Sequence, residues 1–128
     1  MELLRDVVYI APDGFQMGIT SRGQIRLAKA LTGDGFCPSA SHLFESVAEA
    51  YGPTAIGVLL TGMGRDGADG LLRLRQAGGV TIAQDERSSA IFGMPGEAIR
   101  LGAAASVLAP EEIARAIRSL VSGGQWHV

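Results

Sequence analysis

The run Thr61-Gly62-Met63-Gly64-Arg65-Asp66-Gly67 sets a carboxylate at the end of a glycine-rich turn. Two kinds of chemistry suit an acid placed there. In the first, the carboxylate sits at the mouth of a sheet, holds a histidine in one tautomer and stabilises its imidazolium, the part played by the acid of a Ser-His-Asp triad. The second is structural: Asp66 precedes a helix and could accept from the free N–H groups of its first turn, with Asp69 as a weak capping-box partner. The same loop could also cradle an anion on the backbone of Thr61-Gly62-Met63-Gly64. Against that reading stand the lack of a P-loop lysine and the negative charge of Asp66.

Other reactive side chains are few. Ser39, Ser88 and Ser89 are hydroxyls near the expected mouth, and loop or capping hydrogen bonds account for such residues more simply than catalysis does. His42 shares a helix face with Glu45, Ser46 and Glu49, opposite the apolar stripe, which predicts a solvated side chain. His127 stands beside Trp126 at the terminus. Arg65 could steer an anionic substrate, although an exposed arginine needs no such role. Cys37 is the sole cysteine, so no internal disulfide and no multi-cysteine zinc site can form, and no histidine beside it would activate the thiol. With two histidines and one cysteine, neither a metal site nor a cofactor is expected.

The elements that must position these groups follow from periodicity. Asp6 to Ala11 is a β-rich run stopped by Pro12-Asp13-Gly14, and Phe15 to Thr20 with Gln24 to Ala28 flank a glycine turn as a hairpin would. Residues 32–38 read as loop. Ala40, Leu43, Phe44, Val47, Ala48 and Tyr51 recur at helical spacing and are stopped by Gly52-Pro53. Three strand–helix units follow: strand 55–60 with helix 66–77, strand 79–84 with a short helix 95–101, and strand 105–109 with helix 110–122. The last helix opens on Pro110 with Glu111 and Glu112 in its first turn, suiting the positive end of the helix dipole. This order predicts an α/β fold, a mostly parallel sheet with helices on both faces plus a β-hairpin near the N-terminus, in one domain over residues 1–128.

Composition narrows the classes of function. The chain has 128 residues and a formal charge of −2, with Lys29 the only lysine among eleven basic side chains, so no basic stripe invites a nucleic-acid backbone. No apolar run approaches the roughly 20 residues needed to span a bilayer, and the opening Met-Glu-Leu-Leu-Arg-Asp lacks a signal-peptide core. The expectation is a cytoplasmic protein that does not insert into membranes.

Several blocks go beyond spacing. Val8-Tyr-Ile-Ala-Pro-Asp13, Pro38-Ser39 with Leu43 to Ala48, Gly57 to Gly67, Arg75-Gln-Ala-Gly78, Thr81-Ile-Ala-Gln84, Ser88-Ser89 and Phe92-Gly-Met-Pro95 with Glu97-Ala98-Ile99 together resemble the CheB chemotaxis methylesterase domain. The resemblance implies a Rossmann-like three-layer fold and a hydrolase that removes methyl esters from glutamyl side chains of chemoreceptors, releasing methanol through a Ser-His-Asp triad. It implies that Asp66 is the triad acid and that Met63, between Gly62 and Gly64, lines the centre and turns its backbone N–H toward the oxyanion. Met94 and Pro95 then belong to a loop beside the same mouth.

The departures from the family pattern matter equally. The family's nucleophile lies in a Gly-x-Ser-x-Gly-like turn and its histidine one strand later, both before the point that aligns with Val8, and this chain has neither. Ser21, between Thr20 and Arg22-Gly23, sits in a hairpin turn rather than such an elbow, and the family usually has an Asp where His42 stands. The chain therefore resembles roughly the C-terminal two-thirds of a methylesterase catalytic domain. Three expectations follow: no activity alone, activity with a separate chain that supplies the serine and histidine, or a non-catalytic interaction module. Uncovered apolar surface and an open sheet edge would favour self-association.

Overall fold

The computed structural model describes residues 6–29 and 37–122. An antiparallel hairpin pairs β1 (Phe15–Ile19) with β2 (Ile25–Lys29), Phe15 opposite Lys29 and Ile19 opposite Ile25. Its turn closes where expected: Thr20 N–H donates to Gln24 O at 2.8 Å and Gly23 N–H to Thr20 O at 2.9 Å. Helix α1 (Ala40–Ala50) follows, and its end at Gly52 and Pro53 matches the stop signal in the sequence.

The remainder is a three-stranded parallel sheet in the order β3-β4-β5, built from β3 (Ile56–Leu59), β4 (Val80–Gln84) and β5 (Ser106–Leu108). Parallel strands need long crossovers, and here α2 (Ala68–Gln76) and α3 (Met94–Arg100) provide them. Helix α4 (Pro110–Ser122) closes the described chain. Thr81, Ile82, Ala83 and Gln84 are buried one after another, which requires β4 to be covered on both faces. The core lies between sheet and helices: Leu59, Ala68, Leu71, Ala98 and Ala103 form one cluster, and Ala48, Ala55 and Leu74 a second.

Two expectations about elements are corrected. Residues 6–11 form no strand, because no strand among the described residues supplies a ladder; Val8 is 89% exposed and Ile10 86%. Helix α2 begins at Ala68 rather than residue 66: Gly67, at φ +95°, is its cap, and Asp66 is drawn away to another helix. On the face of α1 opposite its apolar stripe, His42, Glu45 and Glu49 are exposed as expected, while Ser46 is half-buried. Ser46 supports the hairpin, accepting from Ile19 N–H on its Oγ at 2.9 Å. Of the expected loop 32–38, residues 32–36 lie outside the described residues.

Candidate active site

The site begins where α1 and α2 start side by side. Only a glycine at position 70 permits their approach, since a Cβ there would stand 2.6 Å from Ser41 Cα and 2.7 Å from Ser41 O. The two helix starts then cap each other. Asp66, from the loop ahead of α2, accepts from Ala40 N–H at 2.7 Å on Oδ2, and from Ser39 Oγ at 2.8 Å and Ser41 N–H at 3.4 Å on Oδ1. In return Ser41 Oγ accepts from Gly67 N–H at 3.0 Å and Gly70 N–H at 3.2 Å, serving the first turn of α2. The half-buried Asp66 carboxylate thus sits at the positive end of α1, where a negative charge is stabilised.

This differs from the capping role expected of Asp66. Its side chain caps α1 rather than its own helix, and Asp69 takes no part in a capping box. His42 does not approach it: its backbone N–H donates to Ser39 Oγ at 3.3 Å, while Nε2 lies 3.5 Å from where a Cβ on Gly18 would stand. His42 therefore faces the hairpin. There it lines a groove of about 610 Å³ with Arg26, Ser46 and Glu49, a concavity built without Asp66, Met63 or Met94.

The mouth is formed by two loops zipped together. Gly62 pairs with Phe92 as a parallel bridge; Gly62 N–H donates to Ile91 O at 3.0 Å, and Gly93 and Met94 N–H donate to Gly62 O at 3.1 and 3.0 Å. Thr61 Oγ1 accepts from Ile91 N–H and donates to Ile91 O, both at 2.9 Å. Gly93 is where the loops touch: a Cβ there would lie 2.7 Å from Gly62 O and 2.8 Å from Gly64 O. Met94 folds its methyl over Gly62, and Pro95 is buried at the start of α3. Gly62, Gly64, Met94 and Pro95 are thus brought together. Met63 projects outward, 75% exposed, and its backbone N–H donates to no group among the described residues. That leaves a donor at the mouth.

Three supporting residues carried no sequence signal strong enough to single them out. Gln84, 4% exposed at the end of β4, accepts from Thr61 N–H at 2.7 Å and donates to Ser88 O at 3.0 Å and Ser88 Oγ at 3.1 Å, tying the loops after β3 and β4 together. A polar residue ending a wholly buried strand is the one hint of it. Ser41 and Gln16 act across elements, Gln16 Oε1 accepting from Ser39 N–H at 2.8 Å, and a linear pattern does not reveal such pairs.

The remaining candidates make structural bonds. Ser88 Oγ donates to Asp85 Oδ1 and Ser89 Oγ to Asp85 O at 2.7 Å. The Ser88 hydroxyl, and after it the Ser88 N–H, hold the Asp85 carboxyl below its ordinary value. Arg65 is 78% exposed and 3.9 Å from Glu97. The Glu97 carboxyl is lowered chiefly by its hydrogen bond from Arg100, with Arg65 contributing least. Cys37 is a half-buried free thiol. Among the described residues no group of three potential ligands could hold a metal, and no helix is long and apolar enough to cross a membrane.

Comparison with known proteins places this geometry. The family profile described as CheB methylesterase matches residues 1–117. The chain is 53% identical over 112 residues to a protein-glutamate methylesterase/protein-glutamine glutaminase of Syntrophus aciditrophicus, covering 88% of this chain and 32% of that protein. It is 48% identical over 114 residues to protein-glutamate methylesterase FrzG of Myxococcus xanthus, covering 89% and 34%. The chain therefore spans about a third of the length of the curated relatives it matches. Among solved structures, the CheB methylesterase catalytic domain of Thermotoga maritima superposes with a TM-score of 0.80 at 34% identity, over 88% of this chain and 61% of that one. Agreement in sequence over residues 1–117 and in the path of the backbone leads to one conclusion: this chain belongs to the CheB methylesterase family.

Proposed function

We propose that this chain carries the acid and the oxyanion side of a protein-glutamate methylesterase centre, and that the nucleophilic serine and the histidine come from outside it. The reaction is hydrolysis of a glutamyl methyl ester on a methylated chemoreceptor: water and ester give the glutamate carboxylate and methanol. The observation that carries this reading is the anchored Asp66 carboxylate on the same loop as a backbone N–H, at Met63, that has no donor role within the described fold. In that role Asp66 holds the imidazole in one tautomer and stabilises the imidazolium formed when the serine is deprotonated. Met63 N–H, near Gly62, Gly64, Met94 and Pro95, faces the charge that develops on the ester oxygen. Ser39, Ser41, Ser46, Ser88 and Ser89 all have their hydroxyls committed to structural partners, so none supplies the nucleophile.

The test is methanol release from methylated receptor. The chain alone releases none. Adding a separately produced chain that bears the elbow serine and the histidine restores release, and Asp66→Asn then lowers the restored rate by up to about 10⁴-fold, the loss seen when a triad acid is neutralised. Turnover by the isolated chain, or an Asp66→Asn variant as fast as the parent, overturns the reading.

A second reading has its own support. The outer edge of β3 is unpaired among the described residues, its sequence Ile-Gly-Val-Leu has none of the charges or prolines that protect an edge, and Val8 and Ile10 are apolar and exposed. A non-catalytic module that associates through this surface would sediment above its monomer mass in a concentration-dependent way. A monomer at high concentration rules that out.

A further inference from the structure

We infer that Ser39 is a positioning residue for Asp66, selecting one orientation of its carboxylate. This rests on Asp66 being the acid of the centre. A serine that only caps a helix accepts from the second or third N–H of the first turn. Ser39 does this weakly, with His42 N–H 3.3 Å from its Oγ, while its hydroxyl proton points to Asp66 Oδ1 at 2.8 Å. The first N–H of α1, from Ala40, goes to Asp66 Oδ2 at 2.7 Å. Each carboxylate oxygen is thus held by its own donor, which fixes the side chain about both its Cα–Cβ and its Cβ–Cγ bonds.

The arrangement also says which oxygen receives the imidazole. A carboxylate offers about four acceptor positions, two on each oxygen. Among the described residues Oδ1 takes Ser39 Oγ and, more distantly, Ser41 N–H, and Oδ2 takes only Ala40 N–H. Oδ2 is the oxygen with capacity left for an imidazole N–H. Ser39 is itself held in place, because Gln16 on β1 accepts from its backbone N–H at 2.8 Å. The hairpin therefore bears on the orientation of Asp66 through a single serine.

Three forms of the whole chain test this: wild type, Ser39→Gly and Ser39→Thr. Glycine is nearly as good a cap as serine but has no hydroxyl, so Ser39→Gly separates capping from positioning. The primary readout is the Asp66 side-chain rotamer by NMR coupling constants on the isolated chain. One rotamer is expected in wild type and Ser39→Thr, and an averaged one in Ser39→Gly, with α1 amide protection retained. A single Asp66 rotamer in Ser39→Gly overturns the inference. In the complemented enzyme, Ser39→Gly is expected to lower kcat by roughly ten- to a hundredfold at unchanged KM, the range for a hydrogen bond to a charged group. It also moves the acid limb of the pH–rate profile upward, because a carboxylate with one donor fewer stabilises the imidazolium more. Ser39→Thr restores both. An unaltered profile in Ser39→Gly likewise overturns the inference. Absence of activity in complemented wild type counts against the proposed function instead, and the NMR result still decides the role of Ser39.

Discussion

Removing Asp66 should unsettle more than a reaction, because its carboxylate receives the Ser39 hydroxyl and the Ala40 N–H. Asp66→Ala leaves both donors without their partner in a half-buried place, at an expected cost of about 1–3 kcal/mol of stability. Thermal or chemical denaturation measures this, and a variant as stable as the parent would show that water replaces the carboxylate at no cost. Asp85 offers a contrast at the same scale. Its folded-state pKa is lowered by the Ser88 hydroxyl and N–H, so its stabilising contribution is complete above the ordinary carboxylate range and is lost as pH falls through the lower folded value. Melting curves between about pH 5 and pH 3 should therefore fall less steeply for Asp85→Asn than for wild type. Equal slopes would show that the exposed turn is too mobile to hold the bond.

At the scale of elements, the site depends on two close approaches between segments distant in sequence. The loops after β3 and β4 meet at Gly93, which leaves no room for a side chain against the carbonyls of Gly62 and Gly64. Gly93→Ala must separate them, with an expected loss of about 1–3 kcal/mol, the usual range for overpacking. Hydrogen exchange at the Gly62 amide, bonded to Ile91 O, should accelerate with it. Unchanged exchange would mean that the bridge survives and the mouth adjusts elsewhere. Beneath the loops, Leu71 and Leu74 of α2 are fully buried against the sheet. Leu74→Ala is expected to cost about 2–5 kcal/mol, read from a denaturation midpoint, because it opens a cavity in the second core cluster. The helices that build this scaffold were legible in the chain: the apolar stripe of α1, the Pro110 start of α4 and the Gly52-Pro53 stop all stand where the spacing put them. Ala109 N–H donating to Glu112 Oε1 at 3.0 Å adds a side-chain cap of the kind that acids in the first turn supply.

For the molecule as a whole, the β3 edge, open among the described residues, and the exposed apolar residues at positions 8 and 10 are two unprotected features. Replacing Val8 and Ile10 together by Lys should reduce concentration-dependent association in sedimentation while leaving the melting temperature nearly unchanged, since neither side chain is buried. Undiminished association would move the contact away from this segment. The sequence by itself determined the alternation of strands and helices, the hairpin, the glycine-rich mouth and the family, because periodicity, turn chemistry and motif spacing are local and survive in one dimension. Only the tertiary structure decided that residues 6–11 form no strand, that Asp66 caps α1 and not α2, that Ser41 returns the favour to α2, and that Gln84 ties the loops. The physical reason is the same in each case: a ladder or a hydrogen bond needs a partner, and here the partner lies 23 to 29 residues away or is not in the chain's described fold at all.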